Sequence, residues 1–219
     1  MQPIADNTYL LTTPDQAQVV FLEKSSCLLR GILTDEYGNL IQASQLSALT
    51  LWLYLRDDTT LPVGGINSVN NTSVLNDGLR GTLGNNKSVT GATVNNTQDD
   101  FFGRVRLTVT AHGYSDGDLI GVRGVRGVRD ANGNRLITVI DANTIELIGT
   151  SGSGSYLSGG VATKGLHLQL QPNDNAIVQS PAPAIGSVEW HEAYLLATFS
   201  GKQAPFLFHY RVKNIGKAS

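Results

Sequence analysis

Cysteine and charge are what this sequence has least of, and each shortage excludes something. A single cysteine, Cys27, stands among 219 residues, so no intramolecular disulfide can close and no thiolate cluster can hold zinc. Charged residues make up 16%, against about 25% in an average soluble domain. The formal net charge is −2, whereas a chain that grips a phosphate backbone needs a basic surplus. No nucleic-acid partner is expected. No apolar run approaches the roughly 20 residues that cross a bilayer, so no membrane partner is expected. The opening "MQPIADNTYLLTTPDQ" lacks the basic and then apolar stretch of a secretory signal. Synthesis in a cytoplasm is the expectation, and the Asn-x-Ser/Thr triplets at Asn70, Asn71, Asn86 and Asn95 read as products of Asn-rich loops.

What replaces charge is glycine, 24 residues of it, with Asn, Ser and Thr. Gly and Asn supply the positive-φ positions that tight turns need, so this balance favours strands joined by many turns. The periodicity agrees. In "SALTLWLYLRDD", Leu49, Leu51, Leu53 and Leu55 fall on one face, with Thr50, Trp52, Tyr54 and Arg56 on the other. That alternation is a half-buried strand, because a helix would scatter the leucines around its cylinder. "GLHLQLQPND" alternates in the same way. Between Leu61 and Asp100 short apolar fragments alternate with Gly and Asn, which suggests short edge strands and long loops. Strand signals then recur at "GRVRLTVTAHG", "GDLIGVRG", "NRLITVID", "NTIELIG" and "GGVATK", the spacing of a small barrel or sandwich. Aromatic residues gather near the two ends: Trp52 and Tyr54 in one section, Trp190, Tyr194, Phe199, Phe206, Phe208 and Tyr210 in the other. The fold expected is all-β: a β-sandwich built from both ends of the chain, residues 14–78 plus 165–214, with a small β-barrel-like module inserted at 89–164. Residues 1–13 and 215–219 are expected to be terminal arms.

Candidate chemistry is sparse. In "SVEWHEA", Glu189 and His191 share one face of a strand; the expectation is that they point to solvent. His112 belongs to a His-Gly turn and is expected to bond locally. "DEYGN" and "DANGN" resemble pieces of calcium loops, but the glutamate and flanking helices of such a loop are missing, and turn chemistry accounts for both. Cys27 is expected to face a core. There is no Gly-x-Ser-x-Gly elbow and no carboxylate pair in a cleft pattern. No catalytic residue, metal site or cofactor is expected. The stretch "GVRGVRGVR", Gly121 to Arg129, reads as a strand end running into a loop, its three-residue glycine spacing accidental, and without proline it is no collagen segment. Its arginines Arg123, Arg126 and Arg129 are candidate contacts for an acidic partner. Acidic residues nearby offset the rest of the module's positive charge.

Two resemblances follow from these residues. "VTGA", "TVTAHGYSDGDLIGVRGV", "DANGNRLITVIDANTIEL" and "YLSGGVATK" resemble, in order, a β-module recurrent in tailed-bacteriophage virion proteins. That module is similar to the first catalytic-cysteine half-domain of ubiquitin-activating enzymes. "GILTDEYGNLIQASQLSALTLWLY", "GINSVNNTSVLNDG" and "GSVEWHEAYLLATFSGKQAPFLFHYRVKN" resemble a β-sandwich family of phage structural proteins from neck, tail and fibre-attachment regions. The resemblance implies a non-enzymatic structural subunit of the virion, made in the host cytoplasm. Its implied partners are portal, neck, tail or fibre proteins and further copies of itself in a symmetric assembly. The alternative it allows is a displayed host-recognition module that binds a receptor or glycan. The enzyme likeness implies no reaction here, since Cys27 lies outside the matching residues.

Overall fold

A computed structural model describes residues 20–24, 26–35, 37–55, 58–62, 72–77, 80–95, 103–177, 184–199 and 202–216. The expected arm at 1–13, residues 217–219 of the other arm, most of "GINSVNNTSVLNDG" and the Cys27 side chain lie outside that description. The regular secondary structure of the described residues is almost entirely strand. In chain order these are β1 (Val20–Leu22), β2 (Cys27–Gly31), β3 (Ala48–Leu55), β4 (Asp58–Pro62), β5 (Thr72–Ser73), β6 (Gly81–Thr82), β7 (Asn86–Ser88), β8 (Gly91–Asn95) and β9 (Arg104–Thr108). Then come β10 (Leu119–Arg123), β11 (Arg126–Arg129), β12 (Gly133–Asp141), β13 (Thr144–Leu147), β14 (Ser153–Ser158), β15 (Val161–Lys164), β16 (Leu166–Leu170), β17 (Val188–Phe199) and β18 (Lys202–Lys213). The only helical turns among the described residues are short 3-10 pieces, Ala43–Gln45 and Pro172–Asn175. No helix here is long and apolar enough to cross a membrane.

The chain divides into two compact units, Met1–Arg30, Ala43–Thr82 and His167–Ser219 in one, and Gly31–Gln42 with Leu83–Leu166 in the other. The first is the sandwich. Its larger sheet runs β1-β18-β17-β3-β4, with β5 also on β3, and its smaller sheet runs β2-β16-β6. The twelve-residue strands β17 and β18 form one long antiparallel hairpin, and β3 pairs with the other edge of β17. Alternation decides what is buried. Leu49, Leu51 and Leu53 of β3, Ala193, Leu195 and Ala197 of β17, and Phe206, Phe208 and Tyr210 of β18 are all essentially inaccessible. Leu168 and Leu170 of the smaller sheet are buried likewise. Burial of that much aliphatic and aromatic area is the main term stabilising such a layer pair.

The second unit is built on a seven-stranded sheet, β7-β15-β10-β12-β13-β9-β8, curled as a half-barrel, with β11 and β14 pairing separately. The five strand signals read in this stretch correspond to β9, β10, β12, β13 and β15. Its core is Val105, Leu107, Ile120, Val122, Ile137, Ile145 and Leu147. The unit also takes in Gly31–Gln42, outside the 89–164 span read from the sequence. The reason is visible in a second small cluster, where Ile32 and Leu40 pack on Leu119 and Val161. Leu40 is presented by the "DEYGN" turn: Asp35 Oδ1 accepts from the backbone N–H groups of Tyr37 (2.9 Å) and Asn39 (2.8 Å), and Gly38 takes φ +80°.

Candidate interaction surfaces

The glycines of "GVRGVRGVR" do three different things, which is why their even spacing is not a repeat. Gly121 lies inside β10 under Leu40, where a Cβ would sit 2.5 Å from Leu40 Cδ2. Gly124 (φ +77°) makes the turn out of β10. Gly127 (φ +92°) sits in β11, where a Cβ would meet the Ser155 carbonyl at 2.1 Å. Residues Arg126–Arg129 therefore form a strand paired with β14, with an irregularity between Arg126 and Val128. The sequence reading of this segment as a connection is corrected: it is a strand, and Val128, 4% exposed, belongs to the unit's hydrophobic core.

The three arginines separate accordingly. Arg123 is half-buried and folded onto its own unit, donating to the Val122 carbonyl (2.9 Å) and Asn134 Oδ1 (3.0 Å). Burial lowers the pKa of its guanidinium. Arg126 and Arg129 are exposed, and among the described residues neither forms an ion pair. Three other arginines of the unit already have partners: Arg104 (3.2 Å) and Arg106 (2.8 Å) share Glu146, and Arg135 pairs with Asp130 (3.0 Å). The second oxygen of Asp130 accepts from Ser151 N–H (2.9 Å), so both oxygens of the "DANGN" carboxylate are engaged, by Arg135 and by Ser151. His112 is buried, accepting at Nδ1 from Tyr114 N–H (2.9 Å) with Nε2 against the Asp141 carbonyl (2.8 Å). Its ring stacks on Tyr114 at 5.0 Å. Burial, with Asp118 beside it, pushes the Tyr114 phenol far up, and the phenol donates to the Ala162 carbonyl (3.0 Å).

Glu189 and His191 do not face solvent. They occupy the same phase of β17 as Ala193 and Leu195, so the alternation that buries those residues buries them too, at 3% and 0% exposure. His191 Nε2 lies 2.5 Å from Glu189 Oε1, and the imidazole meets the Tyr210 ring edge-on at 5.2 Å. Among the described residues, His191 Nδ1 is buried without a hydrogen bond. Such an orphan costs about 1–3 kcal/mol.

The opposite face of the same sheet carries the feature that residue-by-residue reading missed. Trp52, Tyr194 and Leu207 lie directly opposite one another across β3, β17 and β18; the next row on that face is Tyr54, Glu192 and His209. Together Trp52, Tyr54, Tyr194, Leu207 and Glu192 line a groove of about 410 Å³. The Trp52 and Tyr194 rings meet edge to face with centroids 5.4 Å apart. Glu192 Oε2 pairs with His209 Nε2 at 2.9 Å. Burial, then Tyr194 and Glu192, raise the Tyr54 phenol. One row further, the Arg211 guanidinium rests over the Trp190 ring, 5.3 Å from its centroid. The available signal was the second phase of the alternation, which puts large aromatics where a solvated face normally carries small polar or charged groups.

No curated protein matches the chain. A family model does match part of it: residues 105–165, from β9 to the residue after β15, are similar to the ubiquitin-activating enzyme E1 FCCH domain. The match falls wholly within the second unit, and Cys27 lies outside it. The inserted module thus carries the enzyme-domain likeness expected of it.

Proposed function

We propose that this protein is a non-enzymatic structural subunit of a tailed-phage virion, acting at the neck, tail or fibre-attachment region through protein–protein contacts. The observation that carries the reading is the aromatic outer face of the sandwich. Trp, Tyr and Arg are the residue types that concentrate at the energetic centres of protein interfaces. Here Trp52, Tyr54, Tyr194 and Trp190 with Arg211 stand on a rigid antiparallel sheet. The resemblance of both chain segments to virion proteins supplies the setting, and the second unit's likeness to the E1 FCCH domain fits the inserted module of such proteins. Copies of the chain in a symmetric ring or cluster are the natural arrangement.

Mass spectrometry and electron cryomicroscopy of purified particles test this. A fixed number of copies per particle at a symmetric position is expected; particles free of the chain would sink the proposal. The second reading, host recognition, draws on the groove itself, because aromatic walls with one carboxylate also suit a small ligand. It requires the protein to bind host cells or isolated surface glycan.

A further inference from the structure

We propose that the groove between Trp52, Tyr54, Tyr194 and Leu207 is a cation box that receives an arginine or lysine side chain from a neighbouring protein. This deepens the assembly reading and rests on it. The first argument is charge complementarity. Three aromatic rings, whose π faces are electron-rich, line the groove beside one carboxylate, Glu192. Its Oε2 is held by His209, whereas Oε1 accepts no hydrogen bond among the described residues. A cation entering over the rings would gain both the ring quadrupoles and the carboxylate.

The second argument is that this sheet face performs the same recognition within the chain. Trp190 and Arg211 stand directly opposite each other on β17 and β18, with the guanidinium over the indole. The Trp52–Tyr194 row repeats that geometry with the cation's place taken by Leu207, which is 49% exposed. The backbone of three paired strands fixes the spacing, so the rings need little reordering to accept a guest.

The whole chain offers a direct probe because it has two tryptophans, whose indole N–H signals are separately visible by NMR. Titration with a blocked glycyl-arginyl-glycine or glycyl-lysyl-glycine peptide should shift the Trp52 signal saturably and leave Trp190 in place. The citrulline analogue of the first peptide, equal in shape but neutral, should not bind. Glu192→Gln should weaken binding about tenfold or more while the remaining spectrum stays native. Should that variant fail to fold, Leu207→Lys, which supplies a cation in place, should abolish the response. Equal binding of the citrulline peptide, undiminished binding by either folded variant, or no saturable shift with either basic peptide overturns the proposal. So does tighter binding of choline, which would assign the groove to a small quaternary amine, or a response to maltotriose alone, which would assign it to glycan. Absence of the chain from particles is a separate failure, of the assembly reading, and leaves the titration result intact.

Discussion

Glu146 shows how one buried carboxylate settles the electrostatics of a strand pair. It is 5% exposed on β13, opposite Arg106 of β9. Burial alone would raise its pKa, but hydrogen bonds from Arg106, Asn95 and Arg104 outweigh that and hold it below the usual carboxylate range. A carboxyl depressed in the folded state binds fewer protons there than in the unfolded chain. Its contribution is therefore complete above the unfolded value, about 4.3 for glutamate, and drains away as pH falls toward and through the folded value. Glu146→Gln should cost about 1.5–3 kcal/mol at neutral pH, the worth of hydrogen bonds to a charged group. That deficit should shrink in acid, where the wild-type carboxyl is protonated too. Urea unfolding of both proteins from pH 7 to pH 3 checks this, and a deficit constant across that range would contradict it.

Gly127→Ala tests the element-scale claim that β11 is a strand rather than a connection. The substitution forces a side chain onto φ +92° and drives its Cβ to 2.1 Å from the Ser155 carbonyl. The strain of a left-handed L-residue is about 1–2 kcal/mol before any clash, and backbone atoms cannot swing aside. The β11–β14 ladder should open, with faster hydrogen exchange at Val128 and Tyr156, while β12 and β13 stay protected. Uniform protection would mean that β11 tolerates the side chain. The same strand shows where sequence reading runs out. β3 was legible because four leucines alternate without interruption, and β18 because its aromatics do. β11 was not, since one glycine and two arginines conceal the one apolar anchor, Val128. In β17 the strand was legible but its phase was not: Glu189 and His191 looked solvent-facing by polarity, although counting back from Leu195 and Ala193 places them inside. The groove was the least legible feature. Trp52 and Tyr194 are far apart in sequence and meet only through the β3–β17 register, which no local pattern encodes.

Across the whole molecule, charge is scarce and nearly balanced, so an unpaired cation on the surface is informative. The second unit's arginines fall into two groups. Arg104 and Arg106 share Glu146, Arg135 pairs with Asp130, and Arg123 is tied to Val122 and Asn134. Arg126 and Arg129 are exposed and, among the described residues, without ion pairs. Only the second group can serve a partner without first breaking an internal contact. In an assembling subunit the two groups should then respond differently. Arg126→Ser with Arg129→Ser should leave stability within about 0.5 kcal/mol of wild type, as exposed substitutions do, yet lower the number of copies incorporated per particle. That loss should resemble the effect of raised salt on wild-type assembly, because exposed charges are screened. Arg123→Ser should do the reverse: it should lower the melting temperature by loosening β10 against β12, while the copies that fold incorporate normally. Quantitative mass spectrometry of purified particles together with thermal melts of the free chains separates the two. Wild-type incorporation and infectivity of the Arg126/Arg129 double variant would show those side chains to be merely solvated, and would leave the aromatic face of the sandwich as the proposed contact.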